Sequence, residues 1–199
     1  MKRIECLRLL APLVTDELVV TSLTGANWEW RYLTQHEGSM NVSSMGSGTA
    51  VGAGMALGLP GRRVIVLESD GSSLMDLSCL ATLATYQPPN LKVFVFDNEV
   101  YSGSRISHRS PTGVRTSLEG IARGAGIEAA VTVRDVAAFE REARAALAES
   151  GLRYVVVKVE EDPDARKLPK PTVDYLENKY RFIRYIERTE GKTIFPTLR

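Results

Sequence analysis

Cysteine is scarce in this sequence, which has only Cys6 and Cys79 among its 199 residues. Two cysteines are too few for a disulfide framework or a four-thiolate metal site, and they favour a reducing cytoplasmic setting. No apolar run has the length that crosses a membrane, and residues 1–5 carry charge where a signal peptide needs apolar side chains. We therefore expect a soluble, cytoplasmic protein that does not bind membranes.

An excess of charge of one sign is also absent. The 25 lysines and arginines nearly balance the 24 aspartates and glutamates, which gives a formal net charge of +1 at pH 7. That balance argues against a general electrostatic attraction to nucleic acid, so we expect no nucleic-acid partner. The 44% of hydrophobic and 25% of charged residues are ordinary for a globular protein, and the length fits one large domain.

Apolar runs follow one another in the order typical of a parallel α/β protein. The patterns at Leu18–Leu23, Val64–Leu67 and Leu91–Phe96 predict strands, and the continuous apolar run Val64–Leu67 indicates a sheet that helices cover on both faces. The predicted fold is a single, doubly wound, mainly parallel α/β sheet. Residues 1–160 form this domain, and residues 161–199 form a C-terminal extension that packs on the domain or on a partner.

The predicted helix at Gly46–Leu59 is rich in small residues. Gly48, Gly52 and Ala56 recur every four positions, so they share one helix face that another backbone can approach closely. The spacing G-x-G-x-x-G of a dinucleotide-binding loop is absent, and no apolar strand leads into this helix. A second helix is predicted from about Ser73 to Tyr86.

The residues that could bind a ligand or a metal follow the ends of the predicted strands. Thr24-Gly25 follows the first strand, Asp70-Gly71-Ser72 follows the second, and Asp97-Asn98 follows the third. Ligands of open parallel sheets bind beyond the carboxyl ends of the strands, and a helix start favours a phosphate. Asp70 and Asn98 offer the oxygen ligands that Mg²⁺ prefers. A diphosphate held through Mg²⁺ would explain these residues together. Each motif alone is most often an ordinary turn or helix cap.

The combination of Asp70-Gly71-Ser72 with Asp97-Asn98 resembles the "GDG…NN" signature of enzymes that depend on thiamine diphosphate (TPP). The resemblance implies that Mg²⁺ binds Asp70, Asn98 and the backbone carbonyl of Val100. It also implies that Ser72 and the Thr24-Gly25 turn hold phosphate oxygens. Gly71 and Tyr101 complete this part of the expected cofactor site.

A second segment, Ser44-Met45-Gly46, resembles the place in the same family where a bulky apolar side chain lies beneath the cofactor. The resemblance implies that Met45 forces TPP into its bent conformation. It also implies that the carbonyl of Ser43 accepts a hydrogen bond from the aminopyrimidine ring. The bent form brings the exocyclic nitrogen near the thiazolium carbon that must lose its proton.

Within the family, the stretch from Ser44 to Tyr101 most resembles the small subunit of sulfopyruvate decarboxylase and the matching half of phosphonopyruvate decarboxylase. Residues 177–182 resemble the tail of the same group. Two positions depart from the family pattern: Ser69 stands where Gly is usual, and Asp97 stands where Asn is frequent. The departures imply weaker cofactor binding or a lost site.

Family members also need a glutamate on a separate pyrimidine-binding domain, and no glutamate here matches it by motif. The resemblance therefore implies an α-type partner subunit, a hetero-oligomer such as α₂β₂ (or a homodimer in isolation), and no activity of this chain alone. The implied reaction is the non-oxidative decarboxylation of a small 2-oxo acid. An oxidoreductase subunit would be supported by a cysteine cluster for iron–sulfur ligation, and this sequence has none.

A long polar stretch from Glu99 to Arg115 follows the metal motif. Arg105, His108 and Arg109 in this stretch are candidates for binding a second anionic group of the substrate, as in sulfopyruvate or phosphonopyruvate. Two alternatives remain open: a carboligase that resembles acetolactate synthase, and a non-catalytic assembly module descended from the family.

Overall fold

The structure is a computed structural model that describes residues 1–101, 107–163, 167–169 and 172–195. The helices are α1 (Arg3–Leu10), α2 (Gly25–Leu33), α3 (Gly48–Gly58), α4 (Asp70–Ser73), α5 (Ser78–Tyr86), α6 (Leu118–Ala125), α7 (Val136–Ala148) and α8 (Tyr175–Glu190). The strands are β1 (Leu18–Thr21), β2 (Ser39–Asn41), β3 (Val64–Ser69), β4 (Leu91–Asp97), β5 (Val100–Tyr101), β6 (His108–Arg109), β7 (Ala130–Val133) and β8 (Arg153–Lys158).

Six of these strands form one sheet in the order β2-β1-β3-β4-β8-β7, and all its neighbouring pairs are parallel. Side chains of β4 alternate between its faces: Val93 and Val95 join one buried apolar cluster, and Phe94 and Phe96 join the other. Helices α3, α5, α6 and α8 contribute to the first cluster, and helices α1, α2 and α7 contribute to the second. The predicted doubly wound α/β fold is confirmed.

The strand order reverses direction between β1 and β3. From β1 the chain moves to the edge strand β2, crosses back to β3, and then continues to β4 on the other side. Parallel sheets open a crevice at such a reversal, beyond the carboxyl ends of the two strands. The topology therefore places the Thr24 and Asp70 segments on the two sides of one crevice.

The small face predicted for the Gly46–Leu59 helix lies against the sheet. A Cβ atom at Gly52 would lie 2.3 Å from Val66 Cγ2, so α3 approaches β3 too closely for any side chain at that position. The predicted Ser73–Tyr86 helix is wrong in one respect, because the chain leaves helical geometry between α4 and α5. The sequence patterns also do not indicate α2, β2 or β7.

Helix α8 packs against the edge strand β2. The Asn178 side chain accepts a hydrogen bond from the Asn41 backbone N–H over 2.8 Å and donates one to the Ser39 carbonyl over 3.0 Å. Phe182 and Ile186, on the same helix, are buried in the apolar cluster of that sheet face. Within the described ranges, no helix combines the length and apolar character needed to cross a bilayer.

Candidate cofactor and metal site

The turn after β1 holds a buried hydroxyl without a partner. Thr24 is the N-cap residue of α2, and its side chain makes no capping hydrogen bond. Among the described residues, the buried Thr24 Oγ1 has no hydrogen-bond partner. An unsatisfied buried hydroxyl costs free energy, and a phosphate oxygen at the start of α2 would satisfy it.

Gly25 leaves room for the guanidinium group of Arg3. A Cβ atom at Gly25 would lie 2.3 Å from Arg3 Nη2. Arg3 is buried and donates two hydrogen bonds of 2.9 Å each to Glu29. The packing of α1 against α2 is therefore sufficient by itself to require glycine at this position.

Asp70 lies fully buried at the start of α4, directly after β3. Its Oδ2 atom accepts hydrogen bonds from Ser110 Oγ over 2.6 Å and from Thr112 Oγ1 over 3.1 Å. Burial raises the pKa of Asp70, and the nearby Asp97 adds to the rise, although the hydrogen bond from Ser110 opposes it. A cation next to Asp70 would offset the cost of burying its charge.

The side-chain amide of Asn98 lies between Asp70 and the backbone carbonyl of Val100. In the orientation that satisfies hydrogen bonding, Asn98 Nδ2 donates to Asp70 Oδ1 over 3.2 Å and to the Val100 oxygen over 3.0 Å. Rotating the amide by half a turn would present its oxygen on the same side. A carboxylate, an amide and a backbone carbonyl thus meet beyond β3 and β4, and oxygen atoms of these kinds are the ligands that Mg²⁺ prefers.

Sequence reasoning missed Ser110 and Thr112, which lie at the short 3₁₀ turn after β6. Thr112 Oγ1 is 2.8 Å from Asp97 Oδ1 as well as close to Asp70, so one hydroxyl bridges the two carboxylates. Lys158 Nζ, at the end of β8, lies 2.7 Å from Asp97 Oδ2. The negative charge that replaces the usual Asn of the family at position 97 is therefore balanced by Lys158.

The loop between β2 and α3 (residues 42–47, here the β2–α3 loop) contains the segment expected to contact the organic part of the cofactor. Ser43 and Ser44 are exposed, and Met45 is half-buried. The Ser44 carbonyl accepts a hydrogen bond from the Leu23 N–H over 3.4 Å, which ties this loop to the turn after β1. Gly46 has a φ of 83°, a left-handed conformation that favours glycine.

Ser72 and Gly71 have clear structural partners. Ser72 is buried, and its hydroxyl accepts a hydrogen bond from the Gly46 N–H over 2.8 Å. A Cβ atom at Gly71 would lie 2.7 Å from the ring of Tyr101, so the aromatic ring covers this glycine. These contacts join the β2–α3 loop, α4 and the segment after β4 into one wall.

Glu68 was also missed by sequence reasoning, because it lies within an apolar strand pattern. It is fully buried near the end of β3 and accepts hydrogen bonds from the Ser22 hydroxyl and from the Ser69 N–H. Burial raises the pKa of Glu68, although these hydrogen bonds oppose the rise. The sequence signal that could have identified Glu68 is an acidic residue near the carboxyl end of an otherwise apolar strand.

Two of the candidate substrate residues, His108 and Arg109, lie on β6. Tyr101 and Val100 on β5 pair with His108 and Arg109 on β6, and both residues of β6 are exposed. Arg105 lies outside the described residues. The pairing of β6 with β5 thus places His108 and Arg109 near the carboxyl end of β4, which Asn98 follows.

Comparisons with known proteins identify the family of this chain. The family described as thiamine pyrophosphate enzyme, C-terminal TPP binding domain, matches residues 22–157. Sulfopyruvate decarboxylase subunit beta of Methanocaldococcus jannaschii is 31% identical over 190 residues, which cover 94% of this chain and 98% of that subunit. Phosphonopyruvate decarboxylase of Streptomyces viridochromogenes is 40% identical over 98 residues, which cover 49% of this chain and 24% of that enzyme.

Solved structures show the same fold. The thiamine diphosphate-dependent 4-hydroxybenzoylformate decarboxylase of Rhodococcus jostii aligns with a TM-score of 0.64 and 19% identity, over 81% of this chain and 33% of that chain. The family match covers β2, β3, β4 and β7 in full and begins directly after β1, so it includes the segments that follow β1, β3 and β4. This chain therefore belongs to the thiamine pyrophosphate enzyme family, as a C-terminal TPP-binding domain similar to the beta subunit of sulfopyruvate decarboxylase.

Proposed function

We propose that this chain is the Mg²⁺- and diphosphate-binding subunit of a TPP-dependent 2-oxo acid decarboxylase. The observation that carries the proposal is the meeting of the Asp70 carboxylate, the Asn98 amide and the Val100 carbonyl beyond β3 and β4. These groups would hold Mg²⁺, and the Thr24 hydroxyl, which has no hydrogen-bond partner among the described residues, would donate to a diphosphate oxygen nearby. Each group lies at a strand end that the fold brings to the crevice.

The rest of the cofactor would lie along the β2–α3 loop in this proposal. Met45 is half-buried there, and the neighbouring Ser43 is exposed, so its carbonyl can face a ligand. The remaining expected contacts are Gly25, Ser44, Gly46, Gly71, Ser72 and Tyr101. Bound TPP supplies an electron sink for the carbon that loses CO₂.

A pyrimidine-binding α-type subunit is the proposed partner. The similar proteins of methanogens are named as beta subunits, which supports a hetero-oligomer. We further propose that the substrate is a 2-oxo acid with a second anionic group, such as sulfopyruvate or phosphonopyruvate. Arg109 and His108 are exposed on β6 and are suited to meet such a group, with Arg105.

The experiment that tests the proposal is a CO₂-release assay with sulfopyruvate, phosphonopyruvate and pyruvate. The chain is assayed alone and with a pyrimidine-binding subunit from its own genome, with TPP and either Mg²⁺ or EDTA. We expect release only from the two subunits together, only with Mg²⁺, and faster with an anionic substituted pyruvate. Pyruvate condensed to a hydroxyketone would identify a carboligase instead, and folded protein without any turnover would support an assembly module.

A further inference from the structure

Glu68 connects several segments of the candidate site through one carboxyl group. Its oxygens accept hydrogen bonds from the Ser22 hydroxyl and from the Ser69 N–H, the latter over 3.2 Å. The Ser72 hydroxyl and the Thr49 backbone N–H also lie close enough to this carboxyl to lower its pKa. These groups follow β1, begin α4 and begin α3, so a single side chain with 0% exposure joins three elements around the crevice.

Two of these hydroxyls extend the connection to the β2–α3 loop. Ser22 Oγ accepts a hydrogen bond from the Gly48 N–H over 3.1 Å, and Ser72 Oγ accepts one from the Gly46 N–H over 2.8 Å. A Cβ atom at Gly48 would lie 2.5 Å from Glu68 Oε1. The start of α3, directly after the β2–α3 loop, therefore packs on the carboxyl, with no room for a side chain between them.

The metal side of the site has supports that do not involve Glu68. Ser110 and Thr112 bind Asp70 from the turn after β6. The N–H of Ser72 donates to Ser69 Oγ over 3.3 Å, which caps the start of α4. Removal of the Glu68 carboxyl would thus disturb the β2–α3 loop more than the carboxylate that faces the metal.

We infer that Glu68 is a positioning residue that holds the β2–α3 loop in place against the organic part of the cofactor. This inference rests on the proposed function, which assigns Met45 of that loop to the organic part and Asp70 to the metal and diphosphate. Glu68 acts through the Ser22 hydroxyl and through its contact with the start of α3, and it does not touch the cofactor itself. Its loss weakens the binding of whole TPP and largely spares the binding of a diphosphate alone.

The test compares two dissociation constants, for TPP and for inorganic pyrophosphate, each measured calorimetrically with Mg²⁺ on the intact chain. In Glu68→Ala and Ser22→Ala, the preference for TPP over pyrophosphate is expected to fall about tenfold, a size typical of residues that orient a ligating group. Glu17→Ala is the matched control. Glu17 is also buried, with 6% exposure against 0% for Glu68, and it accepts backbone hydrogen bonds from Thr15 and Asp16, but it lies at the amino end of β1, whereas Glu68 lies near the carboxyl end of β3. This variant should lose stability and keep the preference.

An unchanged preference in both site variants would overturn the inference. If Glu68→Ala does not fold, Ser22→Ala decides the question, because it removes one hydroxyl and leaves the buried carboxyl in place. A wild-type chain that binds neither TPP nor pyrophosphate with Mg²⁺ would instead contradict the proposed function.

Discussion

Replacing Asp70 with asparagine is expected to weaken Mg²⁺-dependent TPP binding by about a hundredfold or more. Outer-shell residues of metal sites typically contribute ten- to a hundredfold to metal affinity, and a charged ligand contributes at least as much. The Asp70→Asn side chain keeps the volume and can still accept the hydrogen bond that Ser110 donates over 2.6 Å. The measurement is calorimetric titration of TPP, with Mg²⁺ and with EDTA, into wild type and variant.

The same substitution should not destabilise the chain in the absence of metal. Burial raises the pKa of Asp70, so the ionised carboxylate opposes folding at neutral pH, and a neutral amide removes that opposition. Loss of cofactor binding with an equal or higher midpoint of thermal unfolding is therefore the expected pair of results. Unchanged Mg²⁺-dependent binding would exclude Asp70 as a ligand, and a lower midpoint of thermal unfolding would contradict the expected effect on stability.

Replacing Gly52 with alanine is expected to lower the free energy of unfolding by about 1–3 kcal/mol, the usual cost of forcing extra atoms into a packed core. The added Cβ atom would lie 2.3 Å from Val66 Cγ2 and 3.6 Å from Leu91 Cδ1. Val66 lies on the buried strand β3 and is 0% exposed, so it has no free space to move into. Chemical denaturation measures the change.

Gly54→Ala provides the matched control on the same helix. Among the residues that the structure describes, a Cβ atom at Gly54 meets nothing within 4 Å, so the higher helix propensity of alanine decides the effect there. That variant should be more stable by roughly 0.5–1 kcal/mol. If Gly52→Ala were as stable as Gly54→Ala, the close approach of α3 to β3 would be refuted.

The parallel sheet and the closeness of Asp70 to Asn98 could be predicted because both leave local signals. The strands β1, β3 and β4 are mainly apolar, and the polar residues Asp70 and Asn98 directly follow β3 and β4. Parallel strands bring their carboxyl ends together, so sequence positions far apart could be assigned to one site before the fold was known. The family resemblance to TPP enzymes depended on the same residues and is confirmed.

Other parts of the site could not be predicted, because their roles depend on tertiary contacts. Ser110 and Thr112 lie in a polar stretch, and only the return of the chain after β6 brings them to Asp70. Lys158 is an ordinary strand residue until the pairing of β8 with β4 places it beside Asp97. The short edge strands β2 and β7 have too few residues to show a pattern, since β2 spans three residues and β7 four.

The most direct test of the central claim is the position of the metal. Mn²⁺ replaces Mg²⁺ at oxygen-rich sites and scatters X-rays anomalously, so crystals of the chain grown with TPP and MnCl₂ would locate it. We predict one anomalous peak within coordination distance of the Asp70 carboxylate, the Asn98 amide oxygen and the Val100 carbonyl, next to the TPP diphosphate. A bound TPP whose diphosphate and metal lie away from these three groups would contradict the account.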